Sequence, residues 1–467
     1  MPSLSKTGSD PVLAVGMLCA VLWSGAGAAS GPVPDTQELN RDPVALIHPP
    51  QRPLSAMAEL GRKLFHDPRL SGSGRMSCAG CHDPERAYGP PGADAVMLGG
   101  PDLNTPGLRA VPSLRYLYRQ PPFSIGPDAS GDNDQKPTLT QQASRAAGRL
   151  RALKSADTPQ VAAANLVPQG GLFWDGRVDT LQQQADGPMF NPIEMDAGDT
   201  TTFAAKLQGA DYAEGFRRLF GAGIFRKPDM AVSEAMFAIA RYEEEDQSFH
   251  PFSSKFDAWL AGRAHFTPAE LKGYQAFNDP KRGNCAACHL DRPTRDRLPP
   301  LFTDFQYEAL GAPRNAAIPA NRDPAYFDLG VCGPARTDMQ GQTQYCGMFL
   351  TPSLRNAAMR PVFFHNGVFH SLHEVLDWYV NRDLDPARFY PRDADGRTVA
   401  YDDLPENYRV NVDKTDAPFD RHPGDAPALS PAEMDDIIAF LKTLSDGYTP
   451  KPEHAPASTQ KVAGSKR

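Results

Sequence analysis

Cys78-Ala79-Gly80-Cys81-His82 and Cys285-Ala286-Ala287-Cys288-His289 decide how this chain is read. Each pentapeptide sets two thiols a single turn apart, with an imidazole directly after the second. Thiols at that spacing can add across the two vinyl groups of one haem, and the adjoining imidazole then ligates the iron from one side. A zinc site or a redox dithiol is the alternative use of such cysteines, but neither calls for a histidine after both pairs. The two motifs therefore point to two covalently attached haems c, held by Cys78 and Cys81 with His82 as iron ligand, and by Cys285 and Cys288 with His289.

Working outward, Gly61-x-x-x-Phe65-x-Asp67-Pro68 precedes the first motif and Gly273-x-x-x-Phe277-x-Asp279-Pro280 precedes the second. A repeated lead-in predicts two related haem-bearing domains. The surrounding periodicity is mostly helical. Thr267-Pro268-Ala269-Glu270 and Ser430-Pro431-Ala432-Glu433 are capping boxes with proline at the first helical position. After the second box, Met434, Ile437, Ile438 and Leu441 recur on one face. The stretch from Asp196 to Gly262 also reads as helices, and the domain boundary falls at its end. The predicted fold is mostly α: two cytochrome c-type domains, 38–262 and 263–450, each carrying one covalent haem c, with long ordered loops. Residues 127–171 read as a polar insertion in the first domain, and 451–467 as a disordered tail.

Composition narrows the class. A chain of 467 residues with 40% hydrophobic and 22% charged residues has room for sizeable cores, and a net charge of -8 offers no polybasic field for nucleic acid. Residues 1–28 read as a signal peptide: Lys6, an apolar run from Pro11 to Trp23, then small residues with a cleavage site at Ala28. The run is too short to span a bilayer and no other stretch approaches one, so the expected location is the periplasm, with no membrane span. Export permits a disulfide, and Cys332 and Cys346 remain once Cys19 and the haem cysteines are set aside. Closing that loop contributes roughly 3 kcal/mol.

Further motifs carry a family resemblance from Leu54 to Gly447. They are Leu60-Gly61-Arg62-Lys63-Leu64-Phe65 with Asp67-Pro68-Arg69-Leu70-Ser71, then Phe173-Trp174-Asp175-Gly176-Arg177, then Gln184-Ala185 through Gly187-Pro188 to Glu194-Met195. In the second half they are Thr351-Pro352-Ser353-Leu354-Arg355-Asn356 and Phe364-His365-Asn366-Gly367, where Asn366 stands for the usual Asp. The chain resembles the bacterial diheme cytochrome c peroxidases, and within them the MauG-like branch. The resemblance implies haems set edge to edge across a domain interface, with Trp174 between them. It also implies Glu194 as the acid-base group of the first haem, and Gln184 and Pro188 in the same pocket. Ordinary members place a Met ligand on the second iron where this chain has Tyr379, 14 residues after His365; the MauG-like branch resembles this chain in carrying Tyr.

The residues themselves bear on the chemistry. No histidine occurs from Asp83 to Phe249, so the first haem is expected to be five-coordinate beyond His82, Met97 being the alternative ligand. A carboxyl such as Glu194, held beside a haem in a partly apolar cavity, should have a raised pKa suited to proton relay. Leu372, Val375, Leu376 and Tyr379 share one helical face, which puts the phenol on the buried side. Met348, Met359, or a Tyr379 hydrogen-bonded elsewhere are the other readings of the second iron's sixth position. Two departures limit the resemblance. Gly283 stands where the branch's namesake carries the tryptophan through which it oxidises a protein substrate. Arg115-Tyr116 follows Pro112-Ser113-Leu114 where the family's calcium-binding Asn would be, leaving only carbonyls and water for calcium. The favoured expectation is a peroxidase that takes hydrogen peroxide at the first haem and shares oxidising equivalents with a His/Tyr-ligated second haem, drawing on a small electron-donor protein or an organic reductant. An ordinary cytochrome c peroxidase and a non-enzymatic electron-transfer cytochrome are the alternatives.

Overall fold

Helices in this chain open mostly where a side chain caps the first turn. In the computed structural model, which describes residues 39–127 and 166–450, they are α1 (Ala56–Phe65), α2 (Cys78–Cys81), α3 (Leu181–Phe190), α4 (Thr200–Gly209), α5 (Ala213–Phe220), α6 (Pro228–Glu245), α7 (Lys255–Leu260), α8 (Pro268–Asn278), α9 (Leu372–Asn381) and α10 (Pro431–Lys442). The signal peptide, most of the insertion and the tail expected above lie outside the described residues. Complete capping boxes open α3, α7, α8, α9 and α10, those at Thr267 and Ser430 as read from the sequence.

Sheet is slight. Three antiparallel pairs, β1 (Leu98–Gly99) with β2 (Thr105–Pro106), β3 (Ser124–Pro127) with β4 (Leu166–Gln169), and β5 (Tyr307–Glu308) with β6 (Phe349–Leu350), pin loops rather than build a layer.

The repeated glycines explain the repeated lead-in. A Cβ on Gly61 of α1 would lie 1.8 Å from the Ala238 carbonyl oxygen of α6, and one on Gly273 of α8 would lie 1.9 Å from that of Asp436 in α10. Each half thus has one helix crossing that only glycine allows, and the aromatic four residues on (Phe65, Phe277) packs into the angle. The largest hydrophobic clusters follow the same division along the chain: one runs from Leu60 to Phe249, the other from Phe256 to Leu444. All described residues belong to one compact unit that begins at Gln37.

Buried charges are held in pairs between residues far apart in the chain. Arg355 grips Asp257 through two bonds of 2.7 and 2.8 Å. Arg115 and the Tyr116 hydroxyl both donate to Asp446, at 3.0 and 2.7 Å. Such pairs add little net stability, but removing one partner strands the other. Cys332 and Cys346 are bonded, with Cα atoms 5.0 Å apart. Among the described residues no helix is long and apolar enough to cross a membrane.

Candidate functional site: two cavities with a shared wall

The first cavity is built on α2. One turn of helix brings Cys78 and Cys81 to the same edge, and His82 follows as the cap, its backbone N–H bonded to the Cys78 carbonyl. The ring is fixed by a bond of 3.0 Å between Nδ1 and the Tyr88 carbonyl oxygen. With Nδ1 donating to a carbonyl, Nε2 is left with its lone pair, the arrangement an iron-ligating imidazole needs. Burial holds this imidazole in its neutral form, its pKa lowered to about 4.

Gln184 and Pro188 of α3, Trp174 and Glu194 line the same cavity. Glu194 sits in the turn that follows α3, whose backbone is clasped by β1: Gly100 N–H donates to the Glu194 carbonyl at 2.8 Å, and a Cβ on Gly99 would lie 2.8 Å from the Glu194 Cα. Burial raises the carboxyl pKa, while Arg177 and a hydrogen bond with Asn191 oppose the rise. His82 is the sole histidine on this wall among the described residues, and Met97 and Leu98 are also part of it.

The second cavity repeats the plan. Cys285 and Cys288 edge it, and His289 is fixed by a 2.9 Å bond between Nδ1 and the Phe302 carbonyl oxygen, with its pKa lowered to about 4 by burial. Tyr379 of α9 lines this cavity, its ring between Phe364 (6.2 Å) and Phe419 (5.2 Å) and its hydroxyl without a hydrogen bond among the described residues. Burial raises the phenol pKa, so a phenolate here requires a cation beside it. Met348 and Met359 are not on this wall, whereas His365 is, stacked on Phe349 at 3.6 Å.

Trp174 and Asp328 line both cavities. The Trp174 indole N–H donates to the Ala110 carbonyl, and the preceding residue, Arg109, bonds Asp175 at 2.8 Å and Asp328 at 2.6 and 2.7 Å. Arg177 also reaches Asp175 and lies over the Phe173 ring at 3.6 Å. Sequence reasoning missed Arg109 and Asp328. Gly283 edges the second cavity and has no room for a side chain, since a Cβ would meet the Ala276 carbonyl oxygen at 2.5 Å. Where the family's calcium-binding Asn would be, the Arg115 and Tyr116 side chains turn to Asp446 instead.

Two cavities, each with a thiol pair on one edge and an imidazole locked through Nδ1, fit one covalent haem apiece. A family profile described as di-haem cytochrome c peroxidase matches residues 55–265. The chain is 33% identical over 421 residues to the methylamine utilization protein MauG of Paracoccus denitrificans, covering 86% of this chain and 92% of that protein. It is 27% identical over 350 residues to the cytochrome c551 peroxidase of Nitrosomonas europaea, covering 74% of this chain and 78% of that one. Among solved structures, the diheme peroxidase BthA of Burkholderia thailandensis E264 superposes with a TM-score of 0.70 at 36% identity, covering 85% of this chain and 87% of that chain. Its sequence, its helical fold and its paired cavities agree: the chain belongs to the bacterial di-haem cytochrome c peroxidase family, in the MauG-like branch.

Proposed function

We propose that the protein is a periplasmic peroxidase built of two cytochrome c-type domains, 38–262 and 263–450, which takes hydrogen peroxide at the first haem and shares the oxidising equivalents with a second haem ligated by His289 and Tyr379. The observation that carries this reading is the Tyr379 hydroxyl, without a hydrogen bond among the described residues, in the cavity that His289 also lines. A haem bound at each cavity would supply a redox-active iron, the first delivering electrons to peroxide and the second holding an oxidising equivalent until an external donor refills it.

The protein's own groups do the rest. His82 covers one side of the first site, and Glu194, raised in pKa by burial, takes the proton from one peroxide oxygen and returns it to the other. Gln184, nearly buried, offers an amide to orient the peroxide, and Pro188 keeps the wall beside it apolar. Trp174 lies in the wall common to both cavities and offers an aromatic route for charge between them. Replacement electrons come from a small carrier protein or an organic reductant. The absence of Met348 and Met359 from the second cavity favours this reading over an ordinary peroxidase.

Electron paramagnetic resonance of the ferric protein, followed by absorption spectra after stoichiometric peroxide, tests it. One high-spin and one low-spin iron are expected, with both haem spectra changing on peroxide. Two low-spin irons, or a change confined to the first haem, would overturn it.

A further inference from the structure

The glycine crossings align the two halves residue by residue. Gly61 meets Ala238 and Gly273 meets Asp436; four residues further along, Phe65 packs on Tyr242 with ring centroids 5.6 Å apart, as Phe277 packs on Phe440 at 5.1 Å. In this register Ile239 corresponds to Ile437 and Glu243 to Leu441, and each lines the cavity of its own half. An apolar side chain is what a helix packed against a porphyrin calls for. The first half has a carboxylic acid at that position.

Glu243 is 4% exposed, and its Oε2 has no hydrogen-bond partner among the described residues. A buried acid without a partner stays protonated unless positive charge comes near it. Among the described residues nothing supplies that charge. The ionisable group acting on Glu243 is Glu244, which together with burial raises its pKa to about 8. Of the helices packed against α6, α1 carries Glu59, Arg62 and Lys63, α3 carries Asp186, α4 carries Lys206 and the short turn Ile224–Arg226 carries Arg226; none acts on Glu243. Arg62 is bonded to Glu59, and Lys206 donates to three backbone carbonyls. Elsewhere on the cavity wall, Arg109 is paired with Asp175 and Asp328, and Arg177 acts on Glu194. Toward the haem edge, by contrast, Glu243 is near enough for its charge to act on Cys78.

We propose that Glu243 is the redox-linked proton site of the first haem, a role the second half lacks because Leu441 replaces it. The inference rests on haem attachment at Cys78 and Cys81. On oxidation the ferrous haem gives one electron to an external acceptor, and the Glu243 carboxyl gives one proton to solvent; reduction reverses both. The porphyrin dianion leaves one positive charge on the ferric iron–porphyrin core and none on the ferrous core, so oxidation favours the carboxylate form. Glu243 thereby offsets charge gained at the peroxide-reacting site and makes that site's potential depend on pH.

Spectroelectrochemical titration of the holoprotein from about pH 6 to about pH 9, following each haem by its own spectrum, is the test. The first haem's potential is expected to fall as pH rises, by up to about 59 mV for each tenfold drop in proton activity, with a smaller response at the second. Glu243→Gln and Glu243→Leu, the latter copying the other half, are expected to flatten the first response. A wild-type first haem insensitive to pH overturns the proposal whether or not the variants fold. So does a slope that survives in Glu243→Gln, or one abolished by Glu194→Gln instead. Peptide mass showing Cys78 and Cys81 free of haem would overturn the attachment itself, whereas a loaded protein with a flat response removes only the proton role.

Discussion

The indole N–H of Trp174 donates to the carbonyl of Ala110 at 2.9 Å, which fixes the ring in the wall that both cavities share. Trp174→Phe deletes that bond and the larger ring while keeping an aromatic. If the ring carries charge between the haems, the variant's first haem should react with peroxide at the wild-type rate while the second responds at least several-fold more slowly. Stopped-flow spectra at the two haem wavelengths read the difference. Parallel, unchanged traces would reduce Trp174 to packing.

Glu194 should set the acid limb of the reaction. It works as a base only when ionised, and burial raises its pKa above the ordinary carboxylate value. The rate of peroxide reaction is therefore expected to fall as pH is lowered through that raised value, at higher pH than an exposed glutamate would give. Glu194→Gln should lose the limb and slow the reaction by roughly a hundredfold or more, with spin states unchanged. A variant as fast as the parent removes Glu194 from the proton path.

Tyr379→Met distinguishes a ligand from a packed phenol. A phenolate neutralises charge gained on oxidation and a thioether does not, so the variant's second haem should have a higher potential. Peroxide oxidation should then stay at the first haem. Redox titration together with the spectrum after peroxide reads both effects. If neither changes, Tyr379 is only one of the aromatic rings packed with Phe364 and Phe419.

The glycine crossings make a stability prediction. Gly61→Ala drives a methyl into the Ala238 carbonyl, an overpacking expected to cost about 1–3 kcal/mol. Gly209→Ala, at the open end of α4 with nothing within 4 Å of the added carbon, should be neutral or slightly stabilising. Thermal melts of both holoproteins give the comparison, and equal melting points would refute the crossing argument.

What could be read from the sequence was local. The haem peptides, the capping boxes at Thr267 and Ser430, and the periodic face of α10 are decided by residues within a few positions of one another. The family motifs singled out Trp174 and Glu194, and both line the first cavity. Arg109 left no such trace, because its partner Asp328 lies 219 residues away and neither sits in a motif. Glu243 left none either, because recognising it needed the register of two helix crossings. The repeated Gly-x-x-x-Phe pattern marks α1 and α8 without saying that α6 and α10 are the helices they meet.

The bonded pair Cys332 and Cys346 has a consequence for how the protein must be made. Of the cysteines in the described residues, these two are joined to each other, while Cys78, Cys81, Cys285 and Cys288 form no disulfide and belong to the two haem-attachment peptides. One newly synthesised chain thus needs an oxidant for one pair and reduced thiols at the other two. An oxidase that reached Cys78 and Cys81 first would lock them as a short-loop disulfide, and a reductant strong enough to reopen it could also attack the pair that should stay closed. Biogenesis has to separate these demands in time or by specificity. In a recombinant host that supplies oxidase but no dedicated thiol reductant for apocytochromes, the expected product is soluble and colourless, correctly crosslinked between Cys332 and Cys346 and wrongly crosslinked where the haems belong.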